Sequence, residues 1–120
     1  MNKERVAHYK EERERLNVIV MKYSTNKIKK FYSLDARMYK EETLPKKTKE
    51  LIGLAASLVL RCDDCISYHL TQCYEHDVID AELEETIAIA LIVGGSITIP
   101  HIRKAFAFWD LLKNSTAQGV

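Results

Sequence analysis

Residues 50–69 read Glu50-Leu51-Ile52-Gly53-Leu54-Ala55-Ala56-Ser57-Leu58-Val59-Leu60-Arg61-Cys62-Asp63-Asp64-Cys65-Ile66-Ser67-Tyr68-His69. The first part is apolar at most positions, with Lys46, Lys47, Lys49 and Glu50 at its start. A helix apolar on most sides is a buried one, so a buried helix from Lys46 to about Leu60 is expected, with Glu50 at its edge. Arg61-Cys62-Asp63-Asp64 interrupts the run, and Asp63 or Asp64 is expected to cap a second helix reaching Tyr74 or His76. Two helices joined by so short a turn form a hairpin. Glu50 stands 11 residues before Arg61 and His69 stands 8 after it. At about 1.5 Å per residue their levels in the hairpin differ by roughly 5 Å, while Cys65 lies roughly 10 Å from the level of Glu50. Glu50 is therefore placed to orient His69 rather than to touch Cys65. His69 follows Cys65 by four residues, so the two share a helix face. A neutral imidazole there can take the thiol proton, and a helix N-terminus favours the thiolate.

The same period extends in both directions. Val6, Tyr9, Leu16, Val20 and Tyr23 predict a charged amphipathic helix from about Lys3 to Lys22. Ser24-Thr25-Asn26 offers cap oxygens for a second, carrying Ile28, Phe31, Tyr32 and Ala36 and ending near Tyr39 to Glu42. Thr43-Leu44-Pro45 breaks the chain, with Pro45 suited to a first helical turn. Beyond the hairpin, Asp80 is a candidate N-cap for a helix with Leu83, Ile87, Ala90 and Leu91, and Gly94-Gly95 ends it. Ser96 or Thr98 with Pro100 starts a last helix through Leu112, closed at Lys113-Asn114, and residues 115–120 read as a frayed tail. The expectation is an all-α single domain of about six helices over residues 1–120. Residues 1–42 form a basic N-terminal pair of helices, and residues 43–114 form the core around the hairpin.

The 120 residues are 47% hydrophobic and 29% charged, ordinary values for a folded chain and against disorder. Four glycines and two prolines disfavour a turn-rich β architecture. The net charge of +1 conceals a split. Residues 1–50 carry 14 Lys and Arg against 8 Asp and Glu, and residues 51–120 carry 4 against 9. A basic arm for a polyanion is one reading of this split. Packing of the basic helices against the acidic half, of the same or a neighbouring subunit, suits a small helical protein better, so no nucleic-acid partner is expected. The longest apolar run, Ile87 to Val93, is far below the roughly 18 residues of a membrane span, and the charged start has no signal-peptide pattern. A cytoplasmic location is the expectation. Three cysteines in a reducing compartment argue against a structural disulfide framework.

The spacing Glu50, eleven residues, Cys62-x-x-Cys65, three residues, His69 resembles the signature of alkylhydroperoxidase D-like proteins in the carboxymuconolactone decarboxylase superfamily. Lys46-Lys47-Thr48-Lys49-Glu50-Leu51-Ile52 before it and Ala88-Ile89-Ala90-Leu91-Ile92-Val93-Gly94-Gly95 after it are similar too, so the resemblance covers about residues 30–112. It implies an all-helical fold, a homo-oligomer (trimer or hexamer), and a thiol-dependent peroxidase or dithiol–disulfide oxidoreductase. By position, Cys65 would be the peroxidatic thiol, His69 its base, Glu50 the group behind His69, and Cys62 the resolving thiol, more open to an external dithiol reductant. The substrate would be a peroxide or a disulfide, and no cofactor is called for. Asp64 departs from the His or Tyr that some members carry there. Members that decarboxylate lactones generally lack the cysteine pair, which disfavours that chemistry.

Other readings stand beside this one. The cysteines could be small buried hydrophobes, and the chain a non-catalytic oligomer. Zinc is the stronger rival, because Cys62, Cys65 and His69 with Glu50 make four possible ligands. Cys73 and His76 share the helix face, but Cys65 and His76 are roughly 16 Å apart along one helix, too far for one ion. Cys73 reads as packing, His76 as a helix-end imidazole, and His8 as solvent-facing. His101 and Tyr68 are each left between the site and a structural role. Gly94-Gly95 reads as close helix approach or a sharp turn, not a phosphate loop.

Overall fold

The computed structural model describes the backbone of residues 2–119 and the side chains of residues 4–114. Among these, the chain forms α1 (Asn2–Tyr23), α2 (Asn26–Met38), α3 (Lys46–Leu60), α4 (Asp63–Glu75), α5 (Asp80–Gly94), a 3-10 turn (Ser96–Thr98) and α6 (Ile99–Gly119). No strand occurs among the described residues. The all-α expectation holds, with differences at the helix ends.

The turn between α3 and α4 positions everything that follows. Arg61 takes the left-handed conformation (φ 59°, ψ 41°), which costs a non-glycine residue about 1 kcal/mol. Two hydrogen bonds offset this cost: Arg61 N–H donates to the Leu58 carbonyl at 3.0 Å and Cys62 N–H to the Ser57 carbonyl at 3.1 Å. This is the Schellman pattern, which satisfies the last carbonyls of a helix. The chain therefore reverses over Arg61 and Cys62, and α4 starts at once. Its cap is not Asp63 or Asp64, as expected, but Cys62, whose sulfur accepts from Cys65 N–H at 3.3 Å. The two aspartates occupy the first turn.

Other ends differ for similar local reasons. Pro45 stands just before α3 in extended conformation (ψ 152°), where its carbonyl accepts from Lys49 N–H at 3.1 Å. Asp80 is the first residue of α5 rather than its cap. Its carboxylate is drawn to Trp109 Nε1 at 2.9 Å and Lys113 Nζ at 2.7 Å, and Glu82 accepts from Ile79 N–H at 3.0 Å instead. α6 continues to Gly119, past the expected stop at Lys113-Asn114. Residue 120 of the expected tail lies outside the described residues. Gly94 is required by close approach, since a Cβ there would come within 2.6 Å of Thr98 Cγ2. Gly95 has φ 83°, a region only glycine enters freely. Together they turn the chain from α5 into α6.

α3 packs against α4 and α5, and α6 packs against α4 and α1. Leu54, Leu58, Leu70, Leu83 and Leu112 are all but fully buried between them, with Ile66, Ile87 and Trp109. Each such leucine contributes about 1.5–3 kcal/mol by leaving water. α1 joins this body through buried Val6, through Tyr9 edge-on to Phe108 at 5.2 Å, and through a Lys10–Glu75 ion pair at 3.1 Å. The first of the basic helices therefore packs on the acidic half within one chain. α2 buries none of its residues. α3 was expected to be buried on most sides. Instead Ile52 and Leu60 on it are exposed, as are Ile89, Ile92 and Val93 on α5.

Candidate functional site

Glu50 is completely buried, and one turn of α3 below it Gly53 leaves space for an imidazole. His69 comes from α4 into that space and is 7% exposed. Glu50 Oε1 meets His69 Nδ1 at 2.8 Å, and Oε2 accepts from Lys46 Nζ at 3.0 Å. Burial pushes the Glu50 carboxyl up, but the hydrogen bonds from His69 and Lys46 outweigh it and hold the group below its ordinary range. A carboxylate can only accept. The His69 nitrogen facing it therefore carries a proton, so in the neutral ring Nε2 is the nitrogen without one. A Cβ at residue 53 would lie 2.6–2.9 Å from three atoms of the ring. Glycine there is thus a condition of the Glu50–His69 contact.

Nε2 faces the Tyr39 hydroxyl at 3.5 Å. The rings of Tyr39 and Tyr68 each lie 5.2 Å from the imidazole. Burial pushes both phenols up, with nearby carboxylates adding to it, so both are protonated donors at neutral pH. The Tyr39 carbonyl also accepts from Lys46 Nζ at 3.3 Å. Lys46 thereby ties Glu50 to the end of α2.

Cys62 and Cys65 are bonded as a disulfide, with Cα atoms 5.3 Å apart. Cys65 is exposed and Cys62 half-buried. That reverses the expectation that Cys62 is the more open of the pair, because the turn that makes Cys62 a cap also packs it. Cys65 opens into a cavity of about 280 Å³. α4 contributes Asp64, Cys65, Tyr68 and His69 to its walls, α2 contributes Phe31, Tyr32 and Asp35, and α1 contributes Arg13. The Arg13 guanidinium lies 4.1 Å from the centre of the Tyr68 ring, a cation–π distance. The Tyr9 hydroxyl donates to the Asp64 carbonyl at 3.4 Å, and burial pushes that phenol up to about 12.

The flanks of the disulfide are charged. Asp63 accepts from His101 Nδ1 at 2.7 Å and Lys104 Nζ at 3.1 Å, both on α6, and these bonds hold its carboxyl below the usual range. His101 reaches the Cys62–Cys65 turn through Asp63 rather than through the cavity, whereas Tyr68 lines the cavity itself. Cys73 is fully buried, and burial, with the Glu50 and Glu82 carboxylates adding to it, pushes its thiol up to about 12. It is a packing residue. His76 ends α4, its Nδ1 2.8 Å from the Gln72 carbonyl.

The zinc ligand set does not assemble here. Both thiols are in the disulfide and Glu50 is committed to His69 and Lys46. No group of three or more His, Cys, Asp or Glu that could hold a metal ion occurs among the described residues. A larger hollow of about 710 Å³ lies around Trp109 and Asp80, but it contains no cysteine. No helix among the described residues is long and apolar enough to cross a membrane.

The structure brings Glu50 and His69 into contact across the hairpin and puts Cys65 and His69 in the wall of one cavity. Sequence reasoning missed Tyr39, Gly53, Lys46 and the α1–α2 wall. Lys46 was findable, because a Lys four residues before a buried Glu shares its face. Gly53, three residues after Glu50, was findable for the same reason. Nothing local in the sequence marks Tyr39 or Arg13, which arrive from outside the hairpin.

An all-helical body with a Cys-x-x-Cys turn beside a buried His–Glu pair defines a class of helical dithiol proteins. The chain belongs to the carboxymuconolactone decarboxylase family, whose defining pattern matches residues 29–108. Among solved structures, it is similar to a family protein of Thermotoga maritima for which a part in the antioxidative response has been suggested. The two share 46% identity at a TM-score of 0.89, over 93% of this chain and 95% of that one. A family protein of Legionella pneumophila is 25% identical at a TM-score of 0.81, over 90% of this chain and 96% of that one. Among curated relatives, an uncharacterized protein of Cupriavidus necator is 36% identical over 70 residues, 58% of this chain and 62% of that protein.

Proposed function

We propose that this protein is a thiol-dependent peroxidase or dithiol–disulfide oxidoreductase of the alkylhydroperoxidase D-like type. One observation carries the reading: the disulfide-forming Cys65 and the Glu50-bound His69 open into the same cavity. In the reduced protein His69 Nε2 takes the Cys65 thiol proton. The Cys65 thiolate attacks the terminal oxygen of a hydroperoxide, so an S–O bond forms and the O–O bond breaks. The leaving alkoxide takes the proton back from His69 and departs as an alcohol. Cys65 is left as a sulfenic acid. Cys62 attacks its sulfur, water leaves, and the disulfide seen here results. Two electrons from an external dithiol restore both thiols. Glu50 acts through His69, holding the ring and its tautomer.

The antioxidative part suggested for the Thermotoga maritima protein supports the same direction. The exposed Ile52, Leu60, Ile89, Ile92 and Val93 support assembly of several copies of the chain, checked by light scattering. A thiol count tests the chemistry. Reduced protein in denaturant should show three thiols, and after one equivalent of organic hydroperoxide only Cys73, with the other two recovered by dithiol. Three thiols surviving peroxide, or zinc copurifying in stoichiometric amount, would overturn the reading.

A further inference from the structure

We infer that the substrate of the redox site is an organic hydroperoxide whose acyl body carries a carboxylate, and that Arg5, His8 and Arg13 of α1 bind that carboxylate outside the cysteine cavity. The inference rests on the redox reading above and names its substrate class.

Two hollows adjoin on this face of the molecule. Arg13 and Asp64 stand in the wall of the cysteine cavity, about 280 Å³, and also in the wall of a second hollow of about 270 Å³ along α1. Arg5, His8, Glu12 and Leu16 line the second as well. By helical rise, Arg5 and His8 lie roughly 12 Å and 8 Å along α1 from Arg13. All three precede residues 29–108, which carry the family pattern.

Charge is divided between the hollows. The cysteine cavity sets Asp35 and Asp64 against Arg13. Its walls therefore oppose an anion and admit a neutral group such as a hydroperoxide. The outer hollow sets Arg5 and Arg13 against Asp64 and Glu12. Glu12 is already committed, its two oxygens accepting from Arg15 Nε at 3.0 Å and Arg15 Nη2 at 2.6 Å. Asp63, which lines a further hollow with Arg5, is held by His101 and Lys104 in the same way. Among the described residues no ion pair takes Arg5 or Arg13, and the Arg13 guanidinium lies over the Tyr68 ring at 4.1 Å instead. Two guanidiniums thus stand against one uncommitted carboxylate, and His8 adds an imidazole donor. The planar guanidinium fork matches a carboxylate. Asp64 weighs against a doubly charged group such as a phosphate monoester, so a single negative charge fits best.

Apolar side chains accompany both hollows. Leu16 in the outer one is 48% exposed, and Phe31 and Tyr32 in the cysteine cavity are 68% and 40% exposed. Covering them removes apolar surface from water, which favours binding of an acyl chain. A molecule with its neutral peroxide at Cys65, an apolar middle over these side chains and a carboxylate at Arg5, His8 and Arg13 satisfies each part.

Linoleic acid hydroperoxide and its methyl ester, both kept below their critical micelle concentrations, differ at the carboxylate alone. Each is turned over by the wild-type protein with excess dithiol. A contact remote from the reacting bond is made equally in the bound substrate and in the transition state, so it enters KM and not kcat. A charge-assisted contact corresponds to about ten-fold in affinity. The KM of the ester should exceed that of the acid by this factor, and the ratio should shrink as salt rises. Arg5→Gln with Arg13→Gln should abolish the preference for the acid. Arg5→Lys with Arg13→Lys should retain most of it, which lost packing on Tyr68 would not explain. Equal KM values in the wild type, or a preference that survives the glutamine substitutions, overturn the inference while the redox reading stands. Thiols that survive both compounds fail the redox reading, and this inference with it.

Discussion

The two walls of the cysteine cavity are built in opposite ways. The α3–α4 wall is core: Glu50 has no exposed surface, His69 is 7% exposed, and its ring fills the space that a Cβ at residue 53 would take. The α2 wall is surface: none of its residues is buried, and Phe31, which faces the same cavity, is 68% exposed. Proton-handling groups need one geometry and one protonation state, and a close-packed interior supplies both. A wall that admits a substrate needs freedom to adapt. On the proposed function, chemistry and access are divided between helices that differ in burial, although both contribute to one hollow.

That contrast can be broken or sharpened by substitution. The largest effect is expected at Glu50→Leu, which leaves the His69 Nδ1–H and the Lys46 ammonium without their acceptor. Removing one partner of a buried ion pair costs about 3 kcal/mol, and for a chain of this size that lowers the melting temperature by roughly 10–15 °C. Thermal unfolding followed by circular dichroism reads it, and an unchanged melting point would mean that the buried wall is not held by this pair. Gly53→Ala comes next. Its Cβ would overlap the His69 ring and cost about 1–3 kcal/mol. Displacing a catalytic group by about 1 Å can cost on the order of 100-fold in rate, so Cys65 oxidation by hydroperoxide should slow by that order while the helical spectrum persists.

Acid should find the same wall. The Glu50 carboxyl is held below its ordinary range in the folded chain, chiefly by His69 and Lys46 against the opposing effect of burial. A lowered folded value means that the unfolded chain binds the proton first. The stabilisation is therefore fully present above about pH 4.3, the ordinary carboxylate value, and is lost as pH falls through the lower folded one. Urea midpoints measured from pH 6 to pH 3 should fall along this limb. Lys46→Met, which removes one of the two donors, should flatten it in part. The smallest effect is expected on the other wall. Phe31→Ser should change the stability of the chain by no more than about 0.5 kcal/mol, yet raise KM for a bulky organic hydroperoxide with little change in kcat. A loss of several kcal/mol there would show that α2 is covered by another chain and that the contrast between the walls belongs to the single chain alone.

Much of the α3–α4 wall was legible before any coordinates. Cys65 and His69 are four apart on one helix, and Glu50 and His69 are nearly equidistant from Arg61, so helical rise alone brings them level. The 2.8 Å contact between Glu50 and His69 is what that arithmetic implies for a hairpin. The ends of the helices were less legible, because a cap is decided by competition. Asp80 has good capping chemistry, but Trp109 and Lys113, far away in the chain, hold its carboxylate. Asp63 is likewise taken by His101 and Lys104. With Asp63 so engaged, the sulfur of Cys62 serves as the cap, and this in turn reverses which cysteine is open. Tyr39 and Arg13 were not legible at all, since no spacing relates them to the hairpin.

Sequence by itself determined the helical fold, the hairpin and the level of Glu50 against His69 within it, because each depends on helical period along the chain. Only the tertiary structure decided that the basic helices α1 and α2 wall the cavity, that α6 neutralises Asp63, and that Cys65 rather than Cys62 faces outward. Those outcomes depend on contacts between residues 30 to 60 positions apart, where no local periodicity carries information and packing of the whole chain selects the partner.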